Sequence, residues 1–323
     1  MARILVTGGA GYIGSVCSAR LREHQHTVTV VDNLSAGHRQ AAPADLVVMD
    51  LADEKALDDV FACGRFDGVM HFASHCYVGE SVINPQKYFE DNVGNGMKLF
   101  AAMLRHGVLR FVLSSTCATY GNPHFVPITE KHPQQPINPY GESKRMLERI
   151  LAAYDQAYGM KSVFLRYFNA CGASLDGKLG ESHDPETHLI PLVLRASGDN
   201  FELTVFGNDY ETPDGTCVRD YVHVEDLAEA HIAAFEKLLS GGETAAYNLG
   251  VGHGLSVHEV ITAAQKITGR RVKYNIGPRR PGDPAVLVAN AELACRELGW
   301  TARHSDIETV IKTAWKWFQN PRY

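Results

Sequence analysis

The sequence predicts an α/β fold: a doubly wound parallel sheet joined to a smaller, mixed α/β C-terminal lobe. Three observations lead there. Short β-branched runs alternate with helix-periodic stretches through the first half. A set of glycines sits where the first run meets the first helical stretch. After Asn169 the alternation gives way to a polar loop and then to a different mixture of elements.

Ile4-Leu5-Val6 reads as the first strand, and Ile13, Val16, Cys17 and Leu21 place one apolar face on the helix that follows. Further strands are expected at Val28 to Val31, Leu46 to Met49, Val69 to Phe72, Phe111 to Leu113 and Val163 to Leu165. Helices lie between them, marked by Ala56, Leu57, Val60 and Phe61, by Val93, Met97, Phe100 and Leu104, and by Leu147, Ile150, Leu151 and Tyr154. Gly172 to Thr187 is rich in Gly, Asp, Ser and His and reads as a long loop, with a short helix from His188 to Ala196. Leu203 to Phe206 is a strand, Asn208 to Gly215 a turn, Val224 to Leu239 a helix and Tyr247 to Leu249 a buried strand. Ser256 with Glu259 three residues on is a capping-box pattern that opens another helix. Arg279 to Pro284 reads as a loop, and Ile307 to Phe318 as a closing amphipathic helix. No repeat or tethered linker divides the chain. A dinucleotide-binding unit over 1–173, to which 222–250 returns, and a substrate lobe over 174–221 and 251–323 are expected.

The composition narrows the function classes. With 31 Lys and Arg against 37 Asp and Glu, the net charge of −6 argues against nucleic acid as a partner. No apolar run reaches the ~18 residues of a membrane span, so no membrane partner is expected. Seven scattered cysteines without a C-x-x-C pair point to a reducing, cytoplasmic setting. No metal site is expected: His71 and His75 are four apart, but they lie at a strand end rather than on a helix.

Thr7-Gly8-Gly9-Ala10-Gly11-Tyr12-Ile13-Gly14 follows the first strand with G-x-x-G-x-x-G spacing. Gly8, Gly11 and Gly14 permit a tight turn and close approach of backbone to a pyrophosphate at the positive end of the helix. Asp32, eighteen residues beyond Gly14 at the end of the second strand, suits the hydroxyls of an adenine ribose and repels a 2′-phosphate, which favours NAD over NADP. Asp50 either faces the adenine in the same crevice or caps the next helix. Tyr140 and Lys144 are spaced i, i+4 and share a helix face, where the lysine charge favours a phenolate base. Ser114-Ser115-Thr116 ends a strand and puts a hydroxyl at the carboxyl edge of the sheet.

With Thr116, Tyr140 and Lys144 in place, the chain resembles the extended short-chain dehydrogenase/reductase family, whose dinucleotide unit is a Rossmann fold. The stretches Val78-Gly79-Glu80-Ser81, Arg166-Tyr167-Phe168-Asn169, Phe206-Gly207-Asn208-Asp209-Tyr210, Arg219-Asp220-Tyr221 and Arg279-Arg280-Pro281-Gly282-Asp283 are similar to its UDP-glucose 4-epimerase branch. The resemblance implies an NAD-dependent isomerase that interconverts UDP-galactose and UDP-glucose by C4 oxidation, rotation of the 4-keto sugar and re-reduction. It implies Tyr140 as base, Lys144 as its electrostatic partner and Thr116 as the hydroxyl on the reacting oxygen. Tyr12, Ile13, Asp32, Asn33, Asp50, Leu51, Phe72, Ala73, Asn92, Ser114 and Tyr167 would line the cofactor. Asn169, His188, Leu189, Phe206, Arg219, Arg280, Asp283 and Leu287 would hold the UDP-sugar, His188 alternatively serving as a helix cap. A homodimer through 85–106 and 140–157 is implied as well.

The chain departs from the family pattern at Cys76, where many members carry a lysine near the cofactor phosphates. Cys117 and Ala118 beside Thr116 provide no acid to expel a hydroxyl, which disfavours dehydration. A 4-epimerase of another UDP-sugar and a catalytically silent NAD-binding redox sensor are the alternatives.

Overall fold

The computed structural model describes residues 1–42, 45–198, 201–280 and 283–323. Strands and helices alternate as β1 (Arg3–Thr7), α1 (Tyr12–Glu23), β2 (Thr27–Asp32), β3 (Leu46–Val48), α2 (Glu54–Gly64) and β4 (Gly68–His71). The short α3 (Val78–Ile83) and α4 (Pro85–Tyr88) lead through a π-helical turn, Phe89–Gly94, into α5 (Asn95–Arg105). Then come β5 (Arg110–Thr116), α6 (Pro139–Tyr158), β6 (Lys161–Tyr167), β7 (Asn169–Cys171), α7 (Leu189–Gly198), β8 (Leu203–Phe206), β9 (Val218–Arg219) and β10 (Tyr221–His223). The chain continues with α8 (Val224–Leu239), β11 (Ala245–Leu249), β12 (Leu255–Ser256), α9 (Val257–Thr268), β13 (Tyr274–Gly277), β14 (Val286–Leu287), α10 (Glu292–Leu298) and α11 (Ile307–Gln319).

Seven strands form one sheet in the order β11-β6-β5-β4-β1-β2-β3, and every pairing in it is parallel. Such a sheet must be covered on both faces, so its strands are apolar throughout and sort their side chains by parity. In β1, Ile4 and Val6 join a core with Val16, Leu21, Leu227 and Phe235 from α1 and α8. Leu5, between them, faces Leu57, Phe61, Leu99, Phe100 and Leu147 from α2, α5 and α6. The strand order reverses between β1 and β4, and ligands of such sheets bind at the carboxyl ends beside that switch point. A third core, with Val193, Leu194, Val260, Ile261, Val310 and Ile311, holds α7, α9 and α11 together near three small sheets.

The expected main strands and helices are present, and the helix over Val224–Leu239 and the strand over Leu203–Phe206 match end to end. Ser256 and Glu259 make both halves of the capping box. The strand expected through Met49 ends at Val48, whereas that expected over Phe111 to Leu113 runs on to Thr116. Of the Arg279–Pro284 loop, Pro281 and Gly282 lie outside the described residues.

A buried polar network ties β5, β6, β11 and α6 together. Arg166 donates to both carboxylate oxygens of Glu148, from Nε at 3.0 Å and Nη2 at 2.6 Å, and from Nη1 to the Tyr120 hydroxyl at 3.0 Å. Ser115 and Gln134 donate to the same carboxylate, and Tyr120 passes its own proton to Asn248. Removing one partner of such a pair leaves a buried charge uncompensated. Arg166→Met is therefore expected to lower stability by about 3–5 kcal/mol in urea titration, and the double change with Glu148→Leu to recover much of that loss. A loss under about 1 kcal/mol for the single change is the size of an exposed pair and defeats this account.

Candidate active site

The carboxyl ends of β1, β2, β4, β5 and β6 bring Thr7, Asp32, His71, Thr116 and Tyr167 to one edge of the sheet. The glycine turn lies over that edge, and its three glycines do different things. Gly8 has φ +75°, and a Cβ there would lie 2.4 Å from the Ala73 nitrogen, so it must be glycine for the fold. A Cβ on Gly14 would lie 2.2 Å from the Gly8 carbonyl oxygen, so α1 can pack against its own turn only without one. At Gly11 the nearest atom to such a Cβ is 3.4 Å away, and φ is an ordinary −82°. Nothing in the protein excludes a side chain there. The open face belongs to the N-terminus of α1, which carries no side-chain cap and no acidic residue in its first turn. An anionic diphosphate fits this cradle.

Asp32 is buried and accepts from the Ala10 nitrogen at 3.0 Å and the Leu34 nitrogen at 2.8 Å, which fixes its carboxylate beside the glycine turn. Asn33 donates to Asp50 at 2.8 Å, bridging the ends of β2 and β3. Asp50 also accepts from the Ala52 nitrogen, and these two donors hold its carboxyl below the usual range. It does not cap α2: Asp53 does, accepting from Ala56. Leu51 is buried in the core beneath. Phe72 and Ala73 hang from the Thr7 carbonyl at 2.8 and 3.1 Å, next to the glycine turn. Tyr12 reaches away to donate to the Gly172 carbonyl at 2.6 Å, and Ile13 packs on the core behind α1.

Tyr140 and Lys144 stand one turn apart in α6 and are both buried. Asn138 caps this helix by accepting from the Gly141 nitrogen at 2.8 Å, with Pro139 at the first position. A Cβ on Gly141 would lie 2.4 Å from the Ala118 carbonyl oxygen, so only glycine lets this helix start press against the segment after β5. That contact brings Tyr140 beside Thr116. Lys144 donates to the Ser114 carbonyl at 2.9 Å, its one hydrogen bond among the described residues, so the ammonium keeps donors for a ligand such as a ribose hydroxyl. Burial pulls its pKa down to about 8. Tyr167 and Ser114 share a hydrogen bond of 2.9 Å.

Burial sets the starting point for Tyr140 as a base. Burial raises the phenol well above its usual pKa, and Tyr167 and Cys76 raise it further, against a smaller opposite pull from the Thr116 hydroxyl. The protein by itself keeps Tyr140 protonated. Cys76, where many members of the family carry a lysine, is a half-buried thiol pushed up to about 11 by desolvation and adds no positive charge. Cys117 is likewise half-buried and pushed up to about 12, consistent with a packing role.

Asn92 stands in the π-helical turn and uses its amide internally. It accepts from the His75 nitrogen at 2.8 Å and donates to the His75 carbonyl and the Ser143 hydroxyl. Ser143 in turn donates to the Tyr140 carbonyl at 2.8 Å. Asn92 thus clamps α6 rather than offering a free amide to the cleft.

On the other side, Asn169 in β7 pairs with Tyr221 in β10, and Leu287 in β14 pairs with Arg219 in β9. Leu287 packs with Cys117, Tyr120 and Phe168, directly after Thr116. Arg219 and Asp283 form an ion pair with each other. The Arg280 guanidinium lies 4.0 Å over the Phe206 ring and stays exposed. Leu189 opens α7, and His188 does not cap it with its side chain, because its Nδ1 bonds Glu181 at 2.5 Å.

Ser143 and Gly141 are site residues that the sequence reading missed. Both lie inside Tyr140-Gly-Glu-Ser-Lys144, so the motif contained the signal. Glu181, His183 and Glu186 were missed too: they fall in a stretch read only as a loop, although Glu181-x-His183-x-x-Glu186-x-His188 has the spacing of a donor set.

Comparison with known proteins places this geometry in context. The NAD dependent epimerase/dehydratase family matches residues 4–250. The UDP-glucose 4-epimerase of Lacticaseibacillus casei is 48% identical over 320 residues, which cover 98% of this chain and 97% of that one. The crystal structure of UDP-glucose 4-epimerase from Brucella ovis in complex with NAD superposes with a TM-score of 0.96 at 46% identity, covering 98% of each chain. That of Bifidobacterium longum UDP-glucose 4-epimerase in complex with NAD+ and UDP gives a TM-score of 0.93 at 39% identity, again over 98% of each.

The unequal glycines give a test. Gly11→Ala is expected to leave the thermal midpoint of the cofactor-free protein within about 2 °C while sharply weakening dinucleotide binding in calorimetry. Gly14→Ala is expected to destabilise the fold itself by about 1–3 kcal/mol. Equal dinucleotide affinity for Gly11→Ala and the parent would mean that the open face is not the diphosphate cradle.

Proposed function

The chain belongs to the NAD dependent epimerase/dehydratase family, and from that premise we propose that it interconverts UDP-galactose and UDP-glucose as an NAD-dependent 4-epimerase. The observation that carries this reading is the buried Tyr140–Lys144 pair pressed against Thr116 at the carboxyl edge, beside an uncapped glycine cradle.

When bound, NAD would supply reversible hydride acceptance for the sugar C4 position. Gly11 and the first turn of α1 receive its diphosphate, Asp32 its adenine ribose, and Lys144 its nicotinamide-side ribose. Tyr140 removes the proton of the 4-hydroxyl during oxidation and gives it back during reduction, with Thr116 holding the same oxygen. Its burial raises the phenol, and positive charge from Lys144 and a nicotinamide ring would pull it back toward ionisation. A single base serves both faces of C4 if the sugar turns over while the nucleotide stays fixed. Arg219 and Arg280 suit that anchoring: Arg280 is already stacked on Phe206, and Arg219 can exchange part of its pairing with Asp283 for a diphosphate oxygen. Asn169, Leu189 and Leu287 line the nucleotide and sugar side. In this reading 1–173 with 222–250 is the cofactor unit, and 174–221 with 251–323 the UDP-sugar unit.

The protein works as a cytoplasmic homodimer in this reading. All seven cysteines are unpaired, as a reducing compartment would leave them. Along the face expected to pair, Phe89 and Met97 are exposed, and so are Val82 and Ile83 just before it, Ile83 at 86%. Among the described residues no helix is long and apolar enough to cross a membrane.

Tyr140→Phe is expected to cut turnover of UDP-galactose by at least about 100-fold in proton NMR while retaining bound NAD and near-normal UDP affinity. Near-normal turnover would move the base elsewhere. Met97→Glu together with Phe89→Asp is expected to give a folded monomer by light scattering; a mass unchanged from the parent's would count against this interface.

A further inference from the structure

One cluster of chemically capable side chains takes no part in the reading above. Glu181, His183, Glu186 and His188 converge from the loop before α7 so that one donor atom from each lies within 4.8 Å of the others. The Nδ1 atoms of both histidines face both carboxylates. His183 Nδ1 is 3.2 Å from Glu181 and 3.6 Å from Glu186; His188 Nδ1 is 2.5 Å from Glu181 and 3.5 Å from Glu186. Ligand atoms about 2.0–2.1 Å from a tetrahedral ion lie about 3.3–3.4 Å from one another. Three of these nitrogen–oxygen distances lie within about 0.3 Å of that length, although His183 faces one Glu186 oxygen and His188 the other, and the short one needs to open by less than about 1 Å.

A second observation points the same way. His183 Nδ1 is buried and makes no hydrogen bond of acceptable geometry, although it is aimed into the cluster. Its two carboxylate neighbours approach it without hydrogen-bond geometry, and a metal ion satisfies such a nitrogen without the directional demands of a shared proton. The charges agree. The carboxylates raise both histidines and hold protons on them; once an ion displaces those protons, two carboxylates and two neutral imidazoles balance one divalent cation, and the donor set of two nitrogens and two oxygens is of the zinc class. The cluster is also held from outside, as ligand sets require. Trp317 donates to the Glu181 carbonyl at 2.9 Å, Tyr323 bonds Gly180 through both its backbone nitrogen and its carbonyl, and the rings of Tyr12 and Tyr77 pack edge-on against His183.

We propose that Glu181, His183, Glu186 and His188 form a structural binding site for a zinc-class divalent cation that fixes the loop before α7 against the start of α1. His188 then lends Nδ1 to the ion and keeps only Nε2 for the substrate side. The ion takes no chemical part: four protein donors close its tetrahedron, which leaves no position for substrate.

The test uses the full-length, NAD-loaded protein, stripped with a chelator, desalted and titrated with zinc chloride, with bound metal read by elemental analysis. The parent is expected to retain about one equivalent more than His183→Gln, and cobalt(II) to give the parent alone the intense visible bands of four-coordinate geometry. Both variants keep Cys63, Cys295 and the cofactor diphosphate, so zinc held by those groups cancels in the difference. Glu186→Gln gives the same reading should His183→Gln fail to fold, folding being judged by the thermal midpoint and retained NAD. Equal uptake by parent and variants, or none by either, overturns the proposal and leaves the four residues as a self-contained ion-pair network.

Discussion

The site depends on one close approach. The first turn of α6 touches the backbone after β5 at Gly141, where the Ala118 carbonyl leaves no room for a side chain. Asn138 fixes where that helix begins, so the contact sets both its position and its rotation. Tyr140, Ser143 and Lys144 follow from the helical geometry, and each finds its partner: Thr116, Asn92 and the Ser114 carbonyl. A larger residue at 141 would push all three groups away together. Catalytic geometry here is therefore a property of backbone packing before it is a property of the reactive side chains.

The electrostatics follow from the same packing. Pressing α6 onto the sheet buries the phenol and the ammonium together, and burial disfavours the charged form of both. The cofactor-free cleft thus holds a protonated phenol and a lysine that gives up its proton more readily than one in water.

The large parallel sheet was legible because its strands are buried on both faces and read as continuous apolar runs, and because the glycine turn and the Tyr–Lys pair are local patterns. The two-residue strands β9, β12 and β14 were not legible. They exist only because Arg219 meets Leu255 on one side and Leu287 on the other, residues far away in sequence. The short helices at 78–83, 85–88 and 292–298 carry too few turns to show a period. The assignment of Asp50 as a possible cap failed because Asp53 competes for the same helix start and stands nearer to it. The burial of Tyr140 was not legible for a different reason: a sequence shows the neighbouring lysine but not the depth at which both are buried.

Strand β11 has a consequence for how the chain is made. It closes the sheet by pairing with β6, and the two are about 80 residues apart, as Ala245 opposite Val163 shows. Until α8 and β11 emerge from the ribosome, β6 is an edge strand with a buried-type sequence, Val163-Phe164-Leu165, and one row of open backbone hydrogen bonds. A nascent chain, or a fragment cut before residue 245, carries a sticky border that the finished protein hides. The returning segment therefore acts as an internal guard against aggregation as well as a structural strand.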